Sequence, residues 1–351
     1  MDESIFMIEL PAYTAAISSL LEKSDLVVHN FPLADGESIY DPPKYQQNKT
    51  TKGVKYNLLI DTNIFDFLIK AAQGKSTEQT RAAVALVVFC QLADIDIEPV
   101  LALHEIINHD HSRADEAVEK LAIFDRINNT ESSDLALFAL EHETSFALKE
   151  MEGIDRGDVT AGLTKYRRLR EWDSIYLLIL FVVKTDLSGM SNEDKLTTTL
   201  DWMIHKFRKS LPVFVYCVVY FGKLPVEKMM KFKKNKSSVV HRAQLQNMTW
   251  DLFIINHFFR TWTSADPLVE TLYASDDVGF RTILRRAIEV QYAEGVTPLR
   301  DILSESAFGK VMEWNDSDFS EDERMYSTTE DAYQYRATLI SELEAELGIS
   351  S

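Results

Sequence analysis

The sequence predicts an α/β chain interrupted by a long all-α stretch. Three observations carry this. Short apolar runs near 57–60, 97–100 and 271–275 are the length of buried strands, and two of them end in acidic or polar turns. Between about 112 and 222 one helical pattern follows another, with no β-alternation of any length. The composition, 46% apolar and 26% charged, is that of a globular chain with a core of its own.

In chain order, residues 1–54 form an N-terminal extension. A helical stretch near 11–23 leads to the short run LVV, then to a loop through Gly36, Pro42, Pro43 and the polar KYQQNKTTKG. NLLI is the first strand, closed by Asp61-Thr62-Asn63. FDFLIKAA and TRAAVALVVFCQLA read as helices, IEPV as a strand and LALHEIINH as a helix. DEAVEKLAIF, DLALFALEHETSFALKEM, SIYLLILFVV, LDWMIHKF and VFVYCVVYF continue the helical series. MTWDLFIINHFFRTW is a further helix, ETLYAS a strand and DVGFRTILRRAIEV the helix after it. The α/β part is therefore split into 55–111 and 246–300. A helical insertion spans 112–245, and an acidic C-terminal segment spans 301–351.

Charge narrows the function classes. The chain has 351 residues and a net charge of -18, from 37 Lys and Arg against 55 Asp and Glu. Such acidity is at first sight hostile to nucleic acid. It is not uniform. The stretch from Glu313 onward carries -9, half of the total, and NDSDFSEDE (315–323) reads as an acidic linker. Residues 223–242 instead carry +6, from Lys223, Lys228, Lys231, Lys233, Lys234, Lys236 and Arg242 against Glu227. This basic segment is either a solvated face or a nucleic-acid contact. Cys90 and Cys217 sit in apolar runs and read as core hydrophobes, not a disulfide framework. The longest apolar runs, 175–183 and 211–221, fall short of the roughly 20 residues that span a bilayer. The opening MDESIFMIEL is acidic where a secretory signal is basic. The expectation is a soluble, cytoplasmic chain with no membrane partner.

Four acids stand in telling positions. Asp61 follows NLLI at the carboxyl end of a strand, where open α/β sheets bind ligands. It equally suits the cap of the next helix. Glu105 lies in ALHEIINH beside Leu101 and Ala102. His104 and His109 are five apart, which does not bring two imidazoles to one helical face for zinc. Asp251 shares a helical face with Ile254, Ile255 and Phe258. An acid on an apolar stripe needs a metal or an ion pair, and Arg260 or a lysine of the basic segment is the alternative partner. Asp277 directly follows ETLYASD, whose final Asp276 competes with it for the site or for the helix cap. An all-oxygen set of this kind favours Mg²⁺ or Mn²⁺. Phosphate-binding loops ending in Gly-Lys-Ser or Gly-Lys-Thr and the Gly-x-Ser-x-Gly elbow are absent from the sequence. Tyr166, Trp172 and Trp202 suit base stacking, but at helical spacing they read first as core.

With these residues in view, the chain resembles the PIN-domain family of metal-dependent nucleases. The matching segments are LLIDTNIF (58–65), EPVLALHEII (98–107), MTWDLFIINHFF (248–259) and LYASDDVGF (272–280). The family pattern of a Thr or Ser, any residue, Asp, two residues and Phe falls on Ser275, Asp277 and Phe280. The resemblance implies a PIN-like three-layer fold with a central parallel sheet, the 55–111 and 246–300 segments forming a split nuclease domain. It implies one or two Mg or Mn ions held by Asp61, Glu105, Asp251 and Asp277, with Asn63, Ser275 and Asp276 in support. The activity implied is hydrolysis of RNA phosphodiesters by an endoribonuclease. A nuclease of the same fold acting on DNA is an alternative, and so is a non-catalytic scaffold that binds proteins through the insertion or the acidic tail. Toxin, antiphage-defence and RNA-processing settings are all compatible with the family. Compact members place the second and third acids much closer together; here 146 residues separate Glu105 from Asp251. The basic segment precedes Asp251, and Lys231, Lys233, Lys234, Lys236 and Arg242 are its expected phosphate contacts.

Overall fold

The structure is a computed structural model. It describes residues 9–34, 36–108, 111–151, 156–165, 171–223, 226–264, 266–317 and 329–349. The chain forms two compact units, residues 1–167 with 262–276, and residues 168–261 with 277–351. The first is mixed α/β and the second is helical.

The first unit holds α1 (Thr14–Ser24), β1 (Val27–His29), α2 (Pro42–Lys52), β2 (Lys55–Ile60), α3 (Thr62–Ala72), α4 (Glu78–Ala93), β3 (Asp96–Glu98), α5 (Val100–Asn108), α6 (Ala114–Asn128), α7 (Ser132–Ala139), α8 (Arg156–Lys165) and β4 (Val269–Ala274). Its sheet has the order β1-β4-β2-β3. β2 runs parallel to both β3 and β4, while β1 pairs antiparallel to β4 with Val28 opposite Tyr273. β2 is thus central, and its Leu58, Leu59 and Ile60 are all buried. Strand order reverses there: β3 lies on one side of β2 and β4 on the other. In parallel sheets such a reversal opens a crevice at the carboxyl ends of the strands.

The helices follow from their caps and apolar faces. α4 opens with a Thr77–Thr80 capping box and buries nearly every side chain from Ala82 to Ala93, which makes it the central helix of this core. α3 buries Ile64, Phe65, Leu68 and Ile69 on one stripe. Cys90 is a buried free thiol in α4, and Cys217 is its counterpart in the second unit.

The second unit holds α9 (Trp172–Asp186), α10 (Asn192–Lys206), α11 (Leu211–Phe221), α12 (Ser238–Ser264), α13 (Val278–Tyr292), α14 (Glu305–Asp316) and α15 (Thr329–Glu346). α9 from Ile175 to Val183 and α11 from Pro212 to Val219 are buried on every side, so their apolar residues run without a polar face. Trp314 of α14 stacks on Phe214 of α11 at 4.0 Å, and Trp202 stacks on Phe181 at 4.2 Å. Trp202 is thus a half-buried residue packed against the core; Tyr166 lies outside the described residues.

Several expectations need correction. The run LVV, given no element from the sequence, leads into the strand β1, whose three residues are too few to show a period. The 42–52 stretch is a helix, not a loop: Pro42 and Pro43 occupy its first turn, where a proline loses no hydrogen bond, and Gly53 closes it at φ 71°. The strand expected at 97–100 ends at Glu98, since Val100 already begins α5. The helix read through 134–151 stops at Ala139, followed by Glu141 at φ 66°. The division of the chain also falls elsewhere than expected. The 1–54 extension supplies β1 to the sheet, and the helices from 114 to 165 belong with the α/β unit instead of a single 112–245 insertion. The C-terminal 301–351 segment carries two helices that join the second unit. Residues 315–317 end α14 or follow it, and 318–323 lie outside the described residues. Among the described residues, no helix is long and apolar enough to cross a membrane.

Candidate functional site

In the first unit, Asp61 extends the β2 ladder by one rung, its N–H donating to Ala274 O at 3.0 Å. Its carboxylate then does two things. Oδ1 accepts the Ile64 N–H at 2.7 Å and so caps α3. Oδ2 accepts the Ser275 hydroxyl at 2.6 Å, from the residue just after β4. The cap and the strand-end position are thus both realised. The helix N-terminus also favours a negative charge there. Asn63 Nδ2 lies 3.5 Å from the same Oδ2. Next to it, Thr62 Oγ1 donates to Glu105 on α5, the helix that follows β3. His104 beside Glu105 has its pKa lowered by burial. So segments leaving β2, β3 and β4 bring Asp61, Glu105 and Ser275 to the carboxyl edge of the sheet. Asp276 is exposed, and lines a separate cavity with Lys23 and Gln79.

In the second unit, Asp251 lies on α12 above the buried Ile254, Ile255 and Phe258. Its partner is Lys231, whose ammonium donates to Asp251 Oδ2 and to Asn247 Oδ1, one turn earlier on the same helix. Of the two alternative partners read from the sequence, the structure selects the lysine. Lys231 sits on a pinned segment. Met229 and Phe232 are buried on either side of it, Phe232 stacks on His241 at 4.3 Å, and His241 Nε2 is 2.9 Å from Lys233 O. Asp277 caps α13, its Oδ1 accepting the Phe280 N–H at 3.0 Å. Gly279 permits this: a Cβ there would lie 3.1 Å from Asp277 Oδ1 and 3.4 Å from Met229 Cγ. Asp251, Asp277 and Lys231 border a cavity of about 20 Å³, room for about one water.

Burial pushes Asp251 up to about 6, Lys231 pulls it part of the way back, and the Asp277 charge adds to the rise. Some 28% of the side chain still meets solvent, so the desolvation comes from the protein packed around the carboxylate, not from full enclosure.

The basic segment divides. Lys231 is turned onto Asp251. Arg242 is exposed and donates to Ile349 O at 3.3 Å. Lys233, Lys234 and Lys236 stay on the surface.

Among the described residues, no group of three or more His, Cys, Asp or Glu lies arranged to hold a metal ion. Two acids occur in each unit, and each already has a donor: hydroxyl and amide N–H groups for Asp61, the Thr62 hydroxyl for Glu105, an ammonium for Asp251 and an amide for Asp277. The donor set is nonetheless all-oxygen, which is the chemistry a hard divalent ion takes. Thr62 and Asn247, which set the Glu105 and Lys231 geometry, carry no sequence signal beyond being short polar neighbours of an acid.

Compared with known proteins, the chain matches no family model, no curated sequence and no solved structure.

Proposed function

We propose that the chain is a PIN-like endoribonuclease dependent on Mg²⁺ or Mn²⁺. The observation that carries this reading is the meeting of Asp61 and Ser275 at the strand-order reversal, with Glu105 tied in through Thr62. A structural cap needs one carboxylate oxygen and no second strand end. Asp61 and Glu105, with Asp251 and Asp277, would hold the ion. When bound, it would activate water and offset charge on the leaving oxygen of the phosphodiester.

The chain's own groups do the positioning. Ser275 and the Ile64 N–H fix both oxygens of Asp61, so its orientation is set before any cation arrives. Thr62 does the same for one oxygen of Glu105. Phe280 N–H orients Asp277. Lys231 neutralises Asp251 and must give it up to a competing cation. Lys233, Lys234 and Lys236 are exposed and free to meet phosphates.

The test is cleavage of single-stranded RNA with Mn²⁺, compared with single-stranded DNA. Asp61→Asn and Glu105→Gln should each abolish cutting with the fold intact. Cleavage at the wild-type rate by both variants would reject the assignment.

One observation favours a second reading, a non-catalytic scaffold. The Lys231–Asp251 pair satisfies the half-buried acid without a metal. On that reading Mn²⁺ leaves the melting temperature unchanged; on the first it raises it.

A further inference from the structure

We propose that the cavity bordered by α9, α12 and α15 in the second unit is a binding site for a nucleoside phosphate. It measures about 430 Å³, within the range of small-molecule sites.

Two guanidinium groups line it, Arg242 and Arg336. Arg242 makes one long hydrogen bond, 3.3 Å to the Ile349 carbonyl; Arg336 makes one, 3.4 Å to Ser174 Oγ. Neither has an ion-pair partner among the described residues. That is notable in a chain with 55 acids, where Arg81, Arg113, Arg208, Arg286 and Arg300 each hold a carboxylate. A guanidinium has five donors, so each arginine keeps most of its fork for a ligand, and the fork matches phosphate oxygens.

The same cavity offers rings. Trp172 is held at 6.1 Å from Trp250 and 5.9 Å from Phe253, and Tyr333 carries the Arg336 guanidinium 5.6 Å above its ring. Flat aromatic faces beside cations are the elements that stack a base.

Two carboxylates complete the lining, Asp173 and Glu344. They balance the two arginines, so the site does not select a bare anion. Glu344 takes the Tyr176 hydroxyl at 2.7 Å on Oε1, which leaves Oε2 to accept from a ribose hydroxyl or a base amino group. Anion, ring and hydrogen-bond donors in one ligand describe a nucleotide. It is either free or part of an RNA strand. This inference does not rest on the nuclease reading, because it involves none of the four acids.

The test uses the full chain in EDTA, which suppresses any metal-dependent cutting, and follows tryptophan fluorescence and calorimetric heat. The probes are AMP, adenosine, inorganic phosphate and a short single-stranded oligoadenylate RNA. AMP is expected to saturate, with adenosine and phosphate each at least roughly tenfold weaker. Saturation by the oligonucleotide but not by AMP would assign the site to a strand, and also supports the proposal. Arg336→Gln and Arg242→Gln should each weaken binding about tenfold or more, and Arg336→Lys, which keeps the charge without the fork, should weaken it too. Thermal melts establish that the variants fold. No saturable binding of AMP or oligonucleotide at millimolar concentration overturns the proposal. So does binding that is unchanged in all three variants.

Discussion

Lys231 and Asp251 form an ion pair in which the same ammonium also reaches Asn247, so one lysine joins two successive turns of α12. The acid that stands out most in the sequence, a carboxylate on an apolar stripe, therefore already holds a cation. Its own lysine supplies the charge that a metal would otherwise bring. Burial still outweighs that help, which is why Asp251 stays near 6.

Removing the lysine should expose this balance. Lys231→Gln leaves a poorly solvated carboxylate without its counter-charge. Such a loss costs about 3 kcal/mol in buried pairs, and less here because the pair is partly exposed. The cost should appear in urea unfolding well above pH 6 and shrink well below it, where Asp251 is protonated. Under the nuclease reading, Mn²⁺ should raise the melting temperature of this variant more than that of the wild type, because the competing ammonium is gone.

Asp251 also predicts a pH dependence. Its value is raised in the folded state, from an ordinary 3.8 to about 6. The native chain thus binds this proton more tightly than the unfolded chain. The contribution is fully present below the ordinary value and is lost as pH rises through about 6, at most about 3 kcal/mol. Burial also raises Glu98 and Glu270, while Arg113 and Lys120 hold Glu116 down to about 2. The difference between wild type and Asp251→Asn isolates the one group. Wild type should lose stability relative to the variant across that window, and parallel pH profiles would contradict the assignment.

At Asp61, stability and chemistry should separate. Asparagine caps a helix about as well as aspartate, so Asp61→Asn should cost under about 1 kcal/mol. Asp61→Ala loses the cap and leaves Ser275 without its acceptor, for a cost of about 2 kcal/mol. Both should abolish RNA cleavage. Denaturation curves with a cleavage assay on the same samples check this.

The surface lysines make a salt prediction. Replacing Lys233, Lys234 and Lys236 with Gln should reduce the slope of log affinity against log salt for single-stranded RNA by about 2, at roughly 0.7 per phosphate contact. Lys231→Gln alone should leave that slope almost unchanged, since its ammonium faces Asp251. An unaltered slope in the triple variant removes these lysines from the RNA path.

Parts of this were legible in the sequence. NLLI ending in Asp61-Thr62-Asn63 announces a buried strand and its turn, because a short apolar run and a capping acid are both local signals. That Asp251 needs a cation was legible from its apolar neighbours, but not whether a metal or a side chain answers it. Lys231 is 20 residues away across a non-helical segment, where no periodicity constrains the approach. β1 has three residues, too few for a pattern, and α2 was hidden by the two prolines that start it. The cavity with Arg242 and Arg336 was not legible at all. Its walls come from stretches near 172, 242 and 340, joined only by tertiary packing.

Under the nuclease reading, Asp61, Glu105, Asp251 and Asp277 would bind a divalent ion. Equilibrium uptake of Mn²⁺, followed by the electron paramagnetic resonance of the free ion, tests it most directly. Wild type should take up one or two ions, and Asp61→Asn, Glu105→Gln, Asp251→Asn and Asp277→Asn should each weaken uptake at least roughly tenfold. Wild type that leaves Mn²⁺ free in solution, or four variants that bind it as wild type does, would contradict the claim.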